Sequence, residues 1–369
     1  MLRRHTSTRY GACKPRIEVV KAVLKPQPGV GVRIADVPEP VAGDGEVLVR
    51  VEATSICGSD LAIYEWRDWV AARMRTPRVV GHEFCGTVEA LGPGVEGIAV
   101  GAFIAAETHI ADGTCHQCLV GERHVCENVE ILGFDRDGCF AEYVTIPAEN
   151  AWVTNRAMPL EVASIQEPFG NAVHSATRGP LKDQVVLVTG CGPIGLFCIG
   201  IAKAEGARRV IATDINAYRL GLANKMGADA LLDTSSGDAI DAIREAAGAP
   251  IDVVLEMSGN AAAITQALHT LRPGGWISLL GLPARPLTLD MNALVIQKGV
   301  TMHGIFGRRI WETWEHTRRY LEDGLVDVTP LITHRIGLDD VEEAMQLLEH
   351  GESGKVVMFP GGVPAGVGG

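Results

Sequence analysis

Between Lys21 and about Pro147 the chain alternates short β-branched runs with clusters of Gly and Pro, and Glu46-Val47-Leu48-Val49-Arg50-Val51 is the clearest of the runs. Runs of that length, bounded by turn residues, predict a β-rich domain. From about Gly170 to Ile310 the pattern changes: apolar runs such as Val185-Val186-Leu187-Val188 and Val210-Ile211-Ala212-Thr213 alternate with Ala-rich helical stretches. That alternation predicts βαβ units on a parallel, doubly wound sheet. After Trp311 come a helical stretch, a segment from Val326 to Ile336, a helix over roughly Asp339 to His350 and a last strand at Lys355-Val356-Val357-Met358. This tail is expected to return to the first domain. The expected class is therefore α/β, with residues 1–168 and 311–369 forming one domain around an inserted domain of residues 169–310, and there is no internal repeat.

Composition narrows the function. Nearly half of the 369 residues are hydrophobic and 21% are charged, as in globular, cytoplasmic proteins. The net charge of -12 argues against a nucleic-acid partner, which would call for clustered Lys and Arg. No apolar stretch approaches the roughly 20 residues that span a bilayer. Before Glu18 lie Arg3, Arg4, Arg9, Lys14 and Arg16 without an acidic residue, a bias shared with organelle-targeting segments. The Gly-rich stretch from Gly361 to Gly369 is expected to be disordered. Nine cysteines without a secretory signal point to metal ligands and buried thiols rather than disulfides.

Two kinds of chemistry are legible. The run at Val185 leads into Gly190-Cys191-Gly192-Pro193-Ile194-Gly195 and then an apolar helix through Ala204. Glycines at this strand-to-helix junction admit a pyrophosphate onto the helix N-terminus. Asp214 follows Gly195 by 19 residues, where a carboxylate accepts ribose hydroxyls and repels a 2′-phosphate. The cofactor is therefore expected to be NAD; Arg219 is the one nearby cation that blurs this choice. Leu280-Gly281-Leu282 ends a later strand on the edge where the nicotinamide half would lie.

The second chemistry is metal binding. Cys57 in Ile56-Cys57-Gly58-Ser59-Asp60, His82 and Glu83 in Gly81-His82-Glu83-Phe84, and Glu167 in Gln166-Glu167-Pro168 come from separate points of the chain. A thiolate, an imidazole and a carboxylate can hold one Zn²⁺ with a coordination position open for catalysis. Separately, Asp112-x2-Cys115-x2-Cys118-x7-Cys126 has the spacing of a structural zinc lobe, with an aspartate at its first position. That carboxylate should weaken the site, and His109, His116 and His124 lie close enough in sequence to offer a replacement nitrogen.

These motifs resemble the zinc-containing medium-chain alcohol dehydrogenases, and within that family the threonine dehydrogenase branch. The resemblance covers about residues 21 to 360 and is carried by Ile63-Tyr64-Glu65-Trp66-Arg67-Asp68-Trp69, Glu167-Pro168-Phe169-Gly170-Asn171-Ala172-Val173-His174, Thr213-Asp214-Ile215-Asn216-Ala217-Tyr218-Arg219, Gly304-Ile305-Phe306-Gly307-Arg308 and Pro330-Leu331-Ile332-Thr333-His334-Arg335. It implies a GroES-like catalytic domain with a Rossmann domain inserted before its C-terminal segment. It implies that Cys57, His82 and Glu167 surround a catalytic zinc, with Glu83 adjacent as an alternate ligand. Ser59 matches the hydroxyl that passes on the substrate proton, and His109 a histidine near the substrate. Gly192, Ile194, Asp214, Arg219, Leu280, Leu282, Ile305 and Phe306 match NAD contacts. The resemblance also implies a homotetramer that oxidises a secondary alcohol, L-threonine to 2-amino-3-oxobutanoate. Ala62 stands where the family carries a relay histidine, which implies a slower enzyme with a shifted pH profile or a changed substrate. Two alternatives stay open: a polyol or other secondary-alcohol dehydrogenase, and a non-enzymatic NAD(H)-binding protein that has kept the fold.

Overall fold

The computed structural model describes residues 18–365, so the basic N-terminal segment and residues 366–369 lie outside the described residues. Six strands form one parallel sheet in the order Ala230–Asp233, Arg209–Asp214, Val185–Thr189, Ile251–Glu256, Leu271–Leu279, Thr301–Gly304. Every residue of the third of these, Val185–Thr189, is buried, as expected of a strand covered on both faces by helices. The order reverses beside this strand, which opens a crevice at its carboxyl end.

A second sheet runs Ala151–Val153, Phe103–Ala106, Glu83–Leu91, Glu46–Ser55, Lys355–Phe359, Ile332–Gly337, with Tyr143–Pro147 also paired to Glu46–Ser55. The tail thus lies in this sheet: Val357 pairs with Ser55 and Met358 with Thr54. Smaller sheets join Arg33–Pro38, Val19–Lys25 and Arg78–Val79, and His109–Ile110 with Glu130–Ile131.

The helix Gln166–Ala176 runs between the two large sheets and is buried along almost its whole length. Its Phe169 packs edge-on against Phe197 of the helix Pro193–Ala204, with ring centres 5.3 Å apart. On the other side it meets Tyr320 of the helix Glu312–Glu322 at 6.1 Å. Deleting a ring at such a node costs about 3–5 kcal/mol, so this helix is a rigid mount for whatever it carries. It carries Glu167 in its first turn.

Candidate active site

The turn after Val185–Thr189 has the form a dinucleotide needs. Gly190 has φ +86°, and a Cβ there would come within 2.8 Å of Ser258, while a Cβ on Gly195 would sit 1.9 Å from the Gly190 carbonyl. Neither position tolerates a side chain. At Gly192, by contrast, nothing lies within 4 Å of the added atom, so the backbone faces open space at the N-terminus of the helix Pro193–Ala204. Asp214 is locked beside this turn: its Oδ2 accepts the Cys191 N–H at 2.6 Å and its Oδ1 the Asn216 N–H at 2.9 Å. Asn216 caps the next helix by accepting the Arg219 N–H, which sets Arg219 on the same side. Leu280, Leu282, Ile305 and Phe306 lie at the carboxyl ends of the last two strands, and Leu282 (84% exposed) and Phe306 (44%) form an uncovered apolar ledge.

Cys57, His82 and Glu83 bring one ligand atom each to within 4.8 Å of one another. Cys57 is the N-cap of the helix Gly58–Glu65, and its N–H donates to Asp60 Oδ2 at 2.9 Å. The other oxygen of Asp60 lies 3.4 Å from His82 Nδ1, which leaves the remaining ring nitrogen as the donor toward a metal. Burial alone would push the His82 imidazole down, but the Asp60 carboxylate and the Cys57 thiol raise it well above its ordinary value. Glu83 is tied through Oε2 to Ser55 and to the buried Lys355, whose ammonium also donates to the Ile56 carbonyl at 2.8 Å. Its Oε1 is buried without a hydrogen-bond partner.

Glu83 stands with Cys57 and His82, and Glu167, which the family resemblance sets beside them, lies outside this tight cluster. Its Oε1 accepts from Thr108 Oγ1 at 2.9 Å and from Arg308 Nη1 at 2.5 Å, and its Oε2 is buried and unpartnered. Arg308 is itself fully buried and spends its other donors on Glu107, Thr108 and Asn171. Trp314 Nε1 donates to the same Glu107 at 2.7 Å. His109 lies against this network, its ring 4.9 Å from that of Phe306. Burial first, and then Arg308, push it down to about 4, so it is neutral at pH 7. Gly307, at φ +57°, lets the backbone pass this ring: a Cβ there would come within 2.4 Å of it. Ser59 is half-buried on the helix that Cys57 caps, and Ala62 is buried on the same helix.

Asp112, Cys115, Cys118 and Cys126 form the second group of donors within 4.8 Å, and none of His109, His116 and His124 joins it. The thiol of Cys115 is 3.5 Å from that of Cys118 and 3.7 Å from that of Cys126. Asp112 accepts from Asn128 Nδ2 at 2.5 Å and from the N–H groups of Thr114 and Cys115 at 2.8 and 3.0 Å, which holds its carboxyl well below the usual range.

Residues 43–156 match the family profile of the alcohol dehydrogenase GroES-like domain, and residues 193–323 that of zinc-binding dehydrogenases. The chain belongs to the zinc-binding alcohol dehydrogenases. It is an NAD-dependent enzyme of that family, acting on a small alcohol. An L-threonine 3-dehydrogenase from Symbiobacterium thermophilum is 48% identical over 93% of this chain and 98% of its own length. Among solved structures, a short chain alcohol dehydrogenase of E. coli CFT073 complexed with NADH superposes with a TM-score of 0.85 at 29% identity, covering 92% of this chain and 99% of that one. The 2R,3R-butanediol dehydrogenase of Bacillus subtilis gives 0.83 at 29% identity, covering 92% and 99%.

Four residues of this alcohol dehydrogenase site carry no role in the sequence reading. Asp60 had a signal, since an acidic residue three positions after a helix cap commonly folds back onto it. Arg308, Glu107 and Lys355 had none, because each meets its partner across a large separation, 272 residues in the case of Lys355 and Glu83.

Proposed function

We propose that this dehydrogenase oxidises L-threonine at its secondary hydroxyl to 2-amino-3-oxobutanoate with NAD⁺. The reading is carried by a half-buried thiol and a buried imidazole and carboxylate, Cys57, His82 and Glu83, on a chain 48% identical to a protein named for that reaction. Glu83 Oε1 and Glu167 Oε2 are both buried without partners, as carboxylate oxygens meant for a cation would be. Zinc held there by Cys57, His82 and Glu83, with Glu167 as the fourth group of the site, would supply the Lewis acidity that lowers the pKa of a bound hydroxyl. Ser59 would take up the hydroxyl proton and pass on its own, and NAD⁺, when bound, would supply the acceptor for the hydride. With Ala62 offering no imidazole, that proton leaves through water. Neutral His109 orients the substrate by hydrogen bonding, and Arg308 keeps Glu167 in place. Asp214 selects NAD over NADP through the ribose, with Gly190, Gly192, Ile194 and Gly195 around the pyrophosphate, Arg219 beside the adenosine, and Leu280, Leu282, Ile305 and Phe306 against the nicotinamide half.

The proposal extends to a second, structural zinc on Asp112, Cys115, Cys118 and Cys126, and to a cytoplasmic homotetramer in which residues 1–168 and 311–369 form the catalytic unit and 169–310 the nucleotide unit. The eight cysteines among the described residues are all free, in keeping with a reducing compartment. No helix among the described residues is long and apolar enough to cross a membrane. A second reading, oxidation of a polyol or diol, is favoured by Ala62 and by the likeness to a butanediol dehydrogenase. Zinc-loaded protein assayed with NAD and NADP against L-threonine, 2,3-butanediol and sorbitol separates the two. Threonine with NAD should have the highest kcat/KM by about tenfold or more, roughly 1.4 kcal/mol of transition-state discrimination; a diol or polyol outrunning it overturns the threonine reading.

A further inference from the structure

Three segments meet around a cavity of about 240 Å³ lined by polar groups that the reaction does not use. The loop of the cysteine lobe brings Glu122 and His124, the helix Gln166–Ala176 and the residues after it bring His174 and Arg178, and the last strand of the parallel sheet with the loop beyond it brings His303 and Arg309. Two guanidiniums and three imidazoles therefore face one carboxylate, in a chain whose net charge is -12. Arg309 shares its charge with Glu312 at 3.2 Å, in a pair open to solvent, whereas Arg178 makes no ion pair among the described residues.

The imidazoles register this field. His124 and His174 pack edge to face at 5.4 Å, and His174 Nδ1 is fixed by the Gly307 carbonyl at 2.8 Å. Burial first, with Arg178 and Arg309 adding to it, pushes His174 down to about 4. His303 is lowered by burial and by Arg178. A metal cation is a poor occupant, because the guanidiniums repel it and these nitrogens are not among the donor groups that converge within ligand reach. An oxyanion is a good one, since planar guanidiniums present paired N–H donors to its oxygens.

We propose that this cavity binds a small phosphate-type oxyanion, free or as a phosphate monoester. The site is separate from the dinucleotide turn and uses none of the grouped cysteine, aspartate or histidine donors, and it stands whichever alcohol is the substrate. It adjoins the active site through His174 and the Gly307 carbonyl, through Arg309 beside Arg308, and through Gly304, which precedes Ile305 and Phe306.

The test is calorimetric titration of inorganic phosphate, and separately of phenyl phosphate, into the zinc-loaded enzyme saturated with NADH, which keeps the dinucleotide turn filled. Arg178→Gln and Arg309→Gln should each weaken phosphate binding by about tenfold or more, the scale of one charge-assisted hydrogen-bonding group, while leaving NADH affinity unchanged. Tighter binding of phenyl phosphate than of phosphate identifies the monoester as the better ligand, and the reverse identifies the free ion. Thermal melting, followed in parallel, separates this effect from misfolding: the melting point without phosphate should match the parent, and only the phosphate-induced rise should disappear. Absence of saturable binding, or an affinity untouched in both variants, overturns the proposal; the latter would put the anion on the zinc or elsewhere.

Discussion

The two donor clusters differ in what holds them. Around Cys57, His82 and Glu83 the supports are distant and buried: Asp60 behind the imidazole, Lys355 behind the carboxylate, and the ion triad of Glu107, Arg308 and Glu167 alongside. Asp112, Cys115, Cys118 and Cys126 sit within one surface loop, and the Asp112 carboxylate is held by Asn128 and two nearby N–H groups. Buried charges must be paired to persist, so the first cluster is set by the whole fold, whereas the second is set by local spacing and could form in a short piece of chain. The difference separates a site tuned for reactivity from one suited to stapling a loop.

The sharpest way to break this contrast is Cys57→Ser. It should lower kcat by about 10³-fold or more while NADH affinity, followed by fluorescence, stays near the parent value, since the Gly190–Gly195 turn is untouched. Lys355→Met should come next: it strands the Glu83 carboxylate in the interior and should cost about 3–5 kcal/mol in urea unfolding, most of it recovered when Glu83→Gln is added. Acid sharpens the comparison further. His109 and His174 keep a folded-state value near 4 against an ordinary value near 6.5. Between those limits the unfolded chain binds protons that the folded chain refuses, so stability is intact near neutral pH and falls as pH drops, by about tenfold in the folding equilibrium per unit per histidine. Urea midpoints of metal-free protein from pH 7.5 to 4.5 would show it, and a flat profile would mean that these rings are not held neutral. Asp112→Cys should have the smallest effect, slowing zinc release to a chelator several-fold without changing kcat, because a fourth thiolate binds zinc more strongly than a carboxylate.

What the sequence could convey follows the same division. The outer lobe was readable from four residues at fixed spacing, and the nucleotide turn from three glycines, a following helix and Asp214, because both are local patterns. Strand and helix limits were close to those observed: the run at Val185 extends to Thr189, and the tail helix begins at Val341 rather than near Asp339. The inner cluster was legible only as candidates. Arg308 pairs with Glu167 and Lys355 with Glu83, and no periodicity encodes pairings between residues 141 and 272 positions apart. The oxyanion cavity was unreadable for the same reason, being assembled from three distant segments.

The pairing of Lys355 with Glu83 also fixes an order of events during synthesis. At about 5–20 residues per second, the ammonium is made roughly 14–54 s after the carboxylate it neutralises. Until the strand Lys355–Phe359 slots in beside Glu46–Ser55, Glu83 has no ammonium to pair with, so closing around it costs a protonation or an unpaired buried charge. Completion of the reactive centre therefore depends on one of the last strands to leave the ribosome, and a translation product truncated before that strand would lack the cation that Glu83 pairs with.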